Sequence, residues 1–134
     1  MVNFTIQELT VSTTATATSK KINNDPTPEI VENLKQLVNN VLDPLRNAYG
    51  KPIIVTSGYR SPALNAAVRG SKTSHHMKGQ AADITTGSKQ ENKKLFELAQ
   101  KLNLPFCQLI DEKNFSWVHI SYDKNNVKRQ ILHL

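Results

Sequence analysis

The chain has 134 residues, of which 38% are hydrophobic, so it is long enough for one domain with one core and leaves no room for a second. Its 17 basic and 11 acidic residues give a formal net charge of +6, which favours anionic partners. The basic residues are spread along the chain, with doublets only at 20–21, 93–94 and 128–129 and no interleaved aromatic run, so the sequence argues against a nucleic-acid-binding protein.

Cys107 is the only cysteine, which excludes an intrachain disulfide, and its apolar neighbours at 105–106 predict a buried, inert thiol. The first residues lack the basic segment and apolar run of a secretory signal. No stretch approaches the ~20 apolar residues that span a bilayer. We therefore expect a monomer that is synthesised in the cytoplasm without a signal peptide and has no membrane span.

Residues 1–27 are predicted to form an N-terminal arm on a core of residues 28–134, the whole being one domain. The Ser/Thr/Ala-rich stretch at 11–19 is typical of a loop, either a lid or a surface arm. Three apolar residues can pin the arm to the core, namely Phe4, Ile6 and Leu9.

A long amphipathic helix is predicted to begin at Pro28, where Thr27 offers a hydroxyl cap and proline fits the first helical position. Pro44 lacks an amide hydrogen, so we expect a kink or a restart near Asp43. Gly50 is a typical helix end. The apolar stripe expected to pack on a sheet consists of Ile30, Val31, Leu34, Leu37, Val38, Val41, Leu42 and Leu45.

A β-branched strand at 53–55 follows and delivers residues 57–60, including Arg60, at its end. A serine and a proline at 61–62 then predict a short helix over 62–68. Asn65 on this helix either braces a site or is exposed to solvent.

The second half of the chain supplies the remaining elements. A capping box at 88–91 begins a helix that ends before Pro105. Strands at 108–110 and 117–122 are joined by a turn at 113–115, and a last strand covers 127–132. Together the elements predict a small α+β domain in which helices pack on a central antiparallel sheet.

Two metal-ligand side chains, His76 and Asp83, lie within one short segment. Gly79 between them permits the turn that brings both side chains to one point. Residues 81–84 are predicted to form a short strand, on which Asp83 shares the site-facing side with Ala81 and the alternate residues face the core. Imidazole nitrogen and carboxylate oxygen are both good zinc ligands.

The third ligand is predicted to come from the strand at 117–122. Strict alternation places Trp117, His119 and Ser121 on one face of this strand. A catalytic zinc ion usually has three protein ligands and an open position for water, so His119 completes the expected set.

Residues 74–83, with the sequence SHHMKGQAAD, match the S-x-H-x-x-G-x-A-x-D signature of the zinc D-alanyl-D-alanine peptidases. This family is grouped with the lysostaphin-type endopeptidases and the hedgehog signalling domain. The segment at 57–65 resembles the family's arginine-bearing segment, and residues 117–119 resemble its final-ligand strand. The resemblance extends over residues 4–122 and looks closest to phage and prophage cell-wall enzymes.

The resemblance implies a hedgehog-like fold and a role for each matching position. His76, Asp83 and His119 correspond to the ligands of one zinc ion. Arg60 corresponds to the arginine that pairs with the peptide's C-terminal carboxylate or polarised carbonyl, a task suited to a planar guanidinium. Further substrate contacts are expected from Tyr59, Ser74 and Asn65. His75 does not fit the ligand spacing and is interpreted as a neighbour of the site or a solvent-facing residue.

The general base is the one position where the chain departs from the family pattern. Relatives often carry Glu or His two or three places before the last histidine ligand, where this chain has Trp117 and Ser116. The base must then come from elsewhere, and we choose Glu112, with Asp111 as the alternative. The predicted hairpin brings Glu112 near His119.

The resemblance therefore implies a zinc-dependent peptidase that acts on D-Ala-containing stem peptides of peptidoglycan at the bacterial cell wall, after release, as an endolysin does. A carboxypeptidase and an endopeptidase that cuts crosslinks both fit the sequence. Two other interpretations are an inactive zinc-containing module that binds the wall and a small basic nucleic-acid-binding protein.

Overall fold

The computed structural model of the chain describes residues 3–10, 24–68, 70 and 74–134. A five-stranded sheet with helices confirms the predicted α+β class, and the strand order is β1-β2-β4-β3-β5. The pairs β1–β2, β2–β4 and β3–β4 are antiparallel, whereas β3–β5 is parallel. The strands are β1 (Ile54–Ser57), β2 (Ala81–Thr85), β3 (Gln108–Glu112), β4 (Trp117–Ser121) and β5 (Gln130–His133).

The long predicted helix has three parts, which are α1 (Pro28–Leu37), a π-helical turn (Val38–Leu42) and α2 (Asp43–Tyr49). Pro44 has no backbone N–H to donate, and its ring clashes with the backbone carbonyl one turn earlier in an α-helix. The wider π turn immediately before it relieves this conflict, which confirms the expected irregularity near Asp43. Gly50 ends α2 with φ 76°, a left-handed conformation that glycine adopts readily.

The other helical elements are α3 (Pro62–Ala67), a 3-10 turn (His75–Lys78) and α4 (Lys89–Lys101). The hydroxyls of Ser61 and Ser88 cap α3 and α4 as the sequence predicts, because each accepts a hydrogen bond from a backbone N–H in the first turn.

The two faces of the sheet have different environments. The core face carries Ala82, Ile84, Leu109, Val118 and Ile120, which pack against apolar residues of the helices. Phe4 and Leu9 of the N-terminal segment are also buried in this core, so they pin the segment as predicted. The opposite face carries Asp83 and His119, as strand alternation requires.

The last strand differs from its predicted bounds, and it is a parallel strand in a sheet that was predicted to be antiparallel. It begins at Gln130 rather than at 127 and pairs in parallel with β3. Arg129 has φ 50°, which breaks the extended backbone directly before the strand. Its backbone N–H donates to Phe106 O and its Nε to Leu104 O, so the chain is fixed in this bend.

The predicted loop at 11–19 lies outside the described residues. Within the described ranges, no helix is long and apolar enough to cross a bilayer.

Candidate metal centre

Three buried side chains from separate parts of the chain meet at one point. Asp83 on β2 and His119 on β4 are direct cross-strand partners, and His76 reaches them from the 3-10 turn. Asp83 Oδ1 lies 3.3 Å from His76 Nε2 and 3.1 Å from His119 Nδ1. One ligand atom from each residue lies within 4.8 Å of the others.

The two distances from Asp83 to the histidine nitrogens fit a tetrahedral zinc ion. Zinc binds histidine nitrogen and carboxylate oxygen at ~2.0–2.2 Å, so two of its tetrahedral ligand atoms lie about 3.3 Å apart. The donor set of two imidazoles and one carboxylate matches catalytic zinc sites, which leave a fourth position open. His119 Nε2 is also buried without a hydrogen-bond partner among the described residues, which marks this ring as incompletely satisfied by protein groups alone.

The orientation of His76 is set by backbone groups around it. Its Nδ1 lies 2.7 Å from Gly58 O, and because a carbonyl only accepts, Nδ1 carries a proton and the ring is oriented with Nε2 towards Asp83. Ser74 Oγ accepts from the backbone N–H of His76 at 3.1 Å and caps the 3-10 turn. Gly79 ends that turn with φ 68°, as its predicted role requires.

Asp83 divides its two oxygens between the histidines and an arginine. Oδ1 faces His76 and His119, and Oδ2 lies 3.4 Å from an Nη of Arg60. Burial alone acts to raise the pKa of Asp83, but hydrogen bonds and charge interactions with His119 and His76 outweigh it and hold the pKa well below its usual range. The carboxylate is therefore ionised, as a metal ligand must be.

Arg60 is held in place by three acceptors. Besides Asp83, its Nε donates to Ser57 Oγ at 3.1 Å and an Nη donates to Asn65 Oδ1 at 3.5 Å. Asn65 is buried on α3, so the bracing interpretation fits the structure and the solvent-exposed alternative is wrong. The guanidinium has five N–H groups, so donors remain for a substrate oxygen.

An open cleft of about 440 Å³ lies over the three ligands. Glu112 and Trp117 form a cross-strand pair on its wall, and the indole Nε1–H of Trp117 donates to Glu112 Oε2. The lining residues are Arg60, Gly70, Ser74, His75, His76, Asp83, Gln108, Ile110, Glu112, Trp117 and His119. The predicted ligands, Arg60, Ser74 and Glu112 thus share one cavity.

A larger groove of about 750 Å³ lies between α1 and residues 122–125, and Met77 and Lys78 line it. It contains none of the three ligand residues. The smaller cleft is therefore the one that combines the three metal-ligand residues with the Glu112 carboxylate.

Two residues considered from sequence lie away from this cleft. Asp111 is on the opposite face of β3, where it pairs with Val118 in the sheet and its Oδ2 bonds to His133 Nδ1, so it does not reach the metal ligands. Tyr59 is also a correction, because its side chain is buried in the hydrophobic core instead of lining the cleft. His75 lines the cleft beside the ligands, with its Nε2 3.9 Å from Cys107 Sγ.

Three further residues support the site, and none of them was predicted from the sequence to do so. Gly58 supplies the carbonyl that orients His76, Ser57 accepts from Arg60, and Asn24 bonds to the backbone on both sides of Arg60. Ser57 and Gly58 lie just before Arg60 in sequence, and this proximity could have identified them as residues that support the site. Asn24 is 36 positions away in numbering, in a segment with the composition of a turn, so no local pattern connects it with the site.

Comparison with known proteins agrees with this geometry. The family model for peptidase M15 matches residues 2–121. A zinc D-Ala-D-Ala carboxypeptidase of Streptomyces albus G is 48% identical over 48 residues, which are 35% of this chain and 19% of that protein. The aligned part thus spans about a fifth of the relative's length.

Proposed function

Because this chain belongs to the peptidase M15 family, we propose that it is a zinc metallopeptidase that hydrolyses D-Ala-containing stem peptides or crosslinks of peptidoglycan. The substrate class is that of the Streptomyces albus G relative, as its name describes it. The enzyme acts at the bacterial cell wall after release, in the manner of a phage or prophage endolysin.

The observation that carries the proposal is the presence of a carboxylate, Glu112, in the same cleft as the group formed by His76, Asp83 and His119. When bound by these three residues, zinc supplies Lewis acidity that polarises a carbonyl and activates water. A peptidase needs in addition a base for the water proton, and Glu112 offers one on the cleft wall.

Glu112 takes a proton from the attacking water and passes it to the departing amine nitrogen, so the proton lost by the nucleophile leaves with the product. Trp117 fixes one carboxylate oxygen through its indole N–H, which leaves Oε1 for this transfer. An indole donates but does not accept, so it orients the base without competing for the proton.

Arg60 binds the C-terminal carboxylate or the scissile carbonyl of the peptide. Its guanidinium lies at the edge of the metal group, with a side chain that is 17% exposed, and it is already orientated by Ser57, Asn65 and Asp83. Such pre-orientation reduces the entropy lost when a planar, charged donor pairs with an oxygen anion.

Digestion of purified peptidoglycan tests the proposal, with wild type, His76→Ala and Glu112→Gln compared, each after chelation and after zinc is restored. Mass spectrometry of released D-Ala and of shortened crosslinks identifies the bond that is cut. We expect cleavage by zinc-restored wild type alone, with zinc retained by Glu112→Gln and lost by His76→Ala.

Full activity of Glu112→Gln would exclude Glu112 as the base. A wild-type protein that binds zinc and the wall but leaves every bond intact would instead identify a binding module.

A further inference from the structure

We propose that Asn24 is a positioning residue for Arg60, so that the segment before the first helix forms part of the active-site support. This inference rests on the proposed function, because it assigns to Asn24 the support of Arg60 in the proposed substrate cleft.

The side-chain amide of Asn24 bonds to the two backbone groups that flank Arg60. Its Nδ2 donates to Tyr59 O at 2.9 Å, and its Oδ1 accepts from the backbone N–H of Ser61 at 2.7 Å. One amide therefore satisfies the carbonyl before the arginine and the N–H after it, as a neighbouring strand would.

The same amide also attaches the N-terminal segment to this loop. Asn24 Nδ2 donates to Thr10 O at 2.8 Å, and Leu9 O accepts from the backbone N–H of Tyr59 at 2.6 Å. The other side of the loop is fixed by Arg60 N–H, which donates to His76 O at 2.9 Å. The backbone of Arg60 is thus held between the metal-ligand turn and Asn24.

Only asparagine satisfies this arrangement. The site needs two N–H donors and one acceptor on a short side chain. Aspartate keeps the size and the acceptor but places an oxygen against two carbonyl oxygens, and alanine removes every bond. If Asn24 is absent, the chain at 59–61 loses its outer support and the guanidinium of Arg60 shifts within the cleft.

Steady-state hydrolysis of a muropeptide by zinc-loaded protein tests the inference. We expect Asn24→Ala and Asn24→Asp to lower kcat/KM by roughly 10-fold to 100-fold, mainly through KM, because displacement of a positioning group by about 1 Å has effects of this size. Asn40→Ala is the matched control, since among the described residues the side chain of Asn40 bonds to Gln36, one turn earlier and away from the cleft, so that kcat/KM should be unchanged.

A double-mutant cycle with Arg60→Met separates positioning from general destabilisation. If Asn24 acts through Arg60, adding Asn24→Ala to Arg60→Met changes kcat/KM by less than about 2-fold. A full, independent loss in that background would overturn the inference, as would wild-type KM and kcat in both folded Asn24 variants. Thermal unfolding curves show that each variant is assayed below its unfolding transition. If Asn24→Ala does not fold, Asn24→Asp replaces it in the cycle.

Failure of the inference and failure of the proposed function give different results. Active wild type with unaffected Asn24 variants rejects only the positioning role, whereas wild type that cleaves no muropeptide rejects the proposed function. In the latter case the binding of the muropeptide by wild type and by Asn24→Ala is compared directly, and equal affinity rejects the positioning role as well.

Discussion

At the scale of single residues, the cleft depends on hydrogen bonds that fix each functional side chain before substrate arrives. The bond from Trp117 to Glu112 is one of these. We expect Trp117→Phe, which keeps an aromatic ring but loses the N–H, to lower kcat by roughly 10-fold, a part of the ~10²–10⁴-fold that a positioned base contributes. KM and zinc content should not change.

Steady-state kinetics of the single and double variants check this prediction. In a Glu112→Gln background the further change Trp117→Phe should have no effect on kcat, because the base that it orients is absent. A loss of zinc in Trp117→Phe would show instead that the indole supports the metal ligands.

Gly58 has a different role, since it allows two backbones to approach closely. A Cβ at Gly58 would lie 2.2 Å from Leu9 O, so Gly58→Ala must displace the N-terminal segment or the loop that carries Gly58 O. That carbonyl orients His76, and loss of such a support typically costs 10-fold to 100-fold in metal affinity.

We therefore expect Gly58→Ala to weaken zinc binding by at least about 10-fold, measured by competition with a chelating indicator. Gly50→Ala is the control for a glycine substitution away from the site, because Gly50 has a positive φ, no described atom within 4 Å of its Cβ position and no place in the lining of the cleft. An equal loss of zinc affinity in both variants would contradict the assignment of this effect to Gly58 O.

The sequence predicted the metal ligands more completely than the residues that hold them in position. The histidines and Asp83 were identified because their residue types and spacing express the coordination chemistry directly. Asn24 and Gly58 act through contacts between segments distant in sequence, and their residue types are common in ordinary turns. The indole of Trp117 acts on Glu112 across a hairpin, and this contact depends on the register of the two strands.

At the scale of elements, the hairpin between β3 and β4 determines the relation between base and ligand. Its turn has three successive non-glycine residues with positive φ, namely Lys113 (48°), Asn114 (55°) and Phe115 (62°). Left-handed conformations cost ~1–2 kcal/mol for residues with a Cβ, so tertiary contacts must hold this turn. Asn92, fully buried on α4, donates to Phe115 O at 2.8 Å and to Ser116 O at 3.2 Å.

We expect Asn92→Ala to lower the free energy of unfolding by roughly 2–4 kcal/mol, because Asn92 is buried and its side chain hydrogen-bonds to the partly buried backbone at Phe115, Ser116 and Thr86. Its Oδ1 also accepts from the backbone N–H of Thr86 at 2.7 Å, so the loss extends to the start of α4. Urea unfolding of zinc-free protein measures the change. Asn40→Ala, which affects bonds inside one helical segment, should cost less than about 1 kcal/mol.

The sequence predicted the helices of this fold more closely than the last strand. Helix starts depend on local signals, and the caps at Ser61 and Ser88 could be predicted from a few neighbouring residues. The position of β5 depends on pairing with β3, about 20 residues away, and on the bend at Arg129. Most residues of β5 are exposed, so no alternating burial pattern revealed its bounds.

At the scale of the whole molecule, the metal centre joins the 3-10 turn to two neighbouring strands of the sheet. His76 comes from the turn after α3, Asp83 from a central strand and His119 from its neighbour. The ligands also contact residues outside the metal group. Asp83 contacts Arg60, and His76 contacts Gly58, whose backbone lies against Leu9 of the N-terminal segment. A metal ion bound by these residues would therefore stabilise contacts that extend from the sheet to the N-terminal segment.

Zinc should consequently raise the thermal stability of the folded chain. A ligand that binds only the native state at 100 times its Kd contributes ~2.7 kcal/mol, which corresponds to a rise of roughly 5–10 °C in Tm for a domain of this size. Differential scanning calorimetry with and without a chelator measures the rise. In His76→Ala zinc should produce little or no shift, because removal of one of three ligands leaves two, whereas in Glu112→Gln the shift should equal that of wild type. A wild-type Tm that is independent of zinc would mean that the three side chains do not hold the ion in the native state.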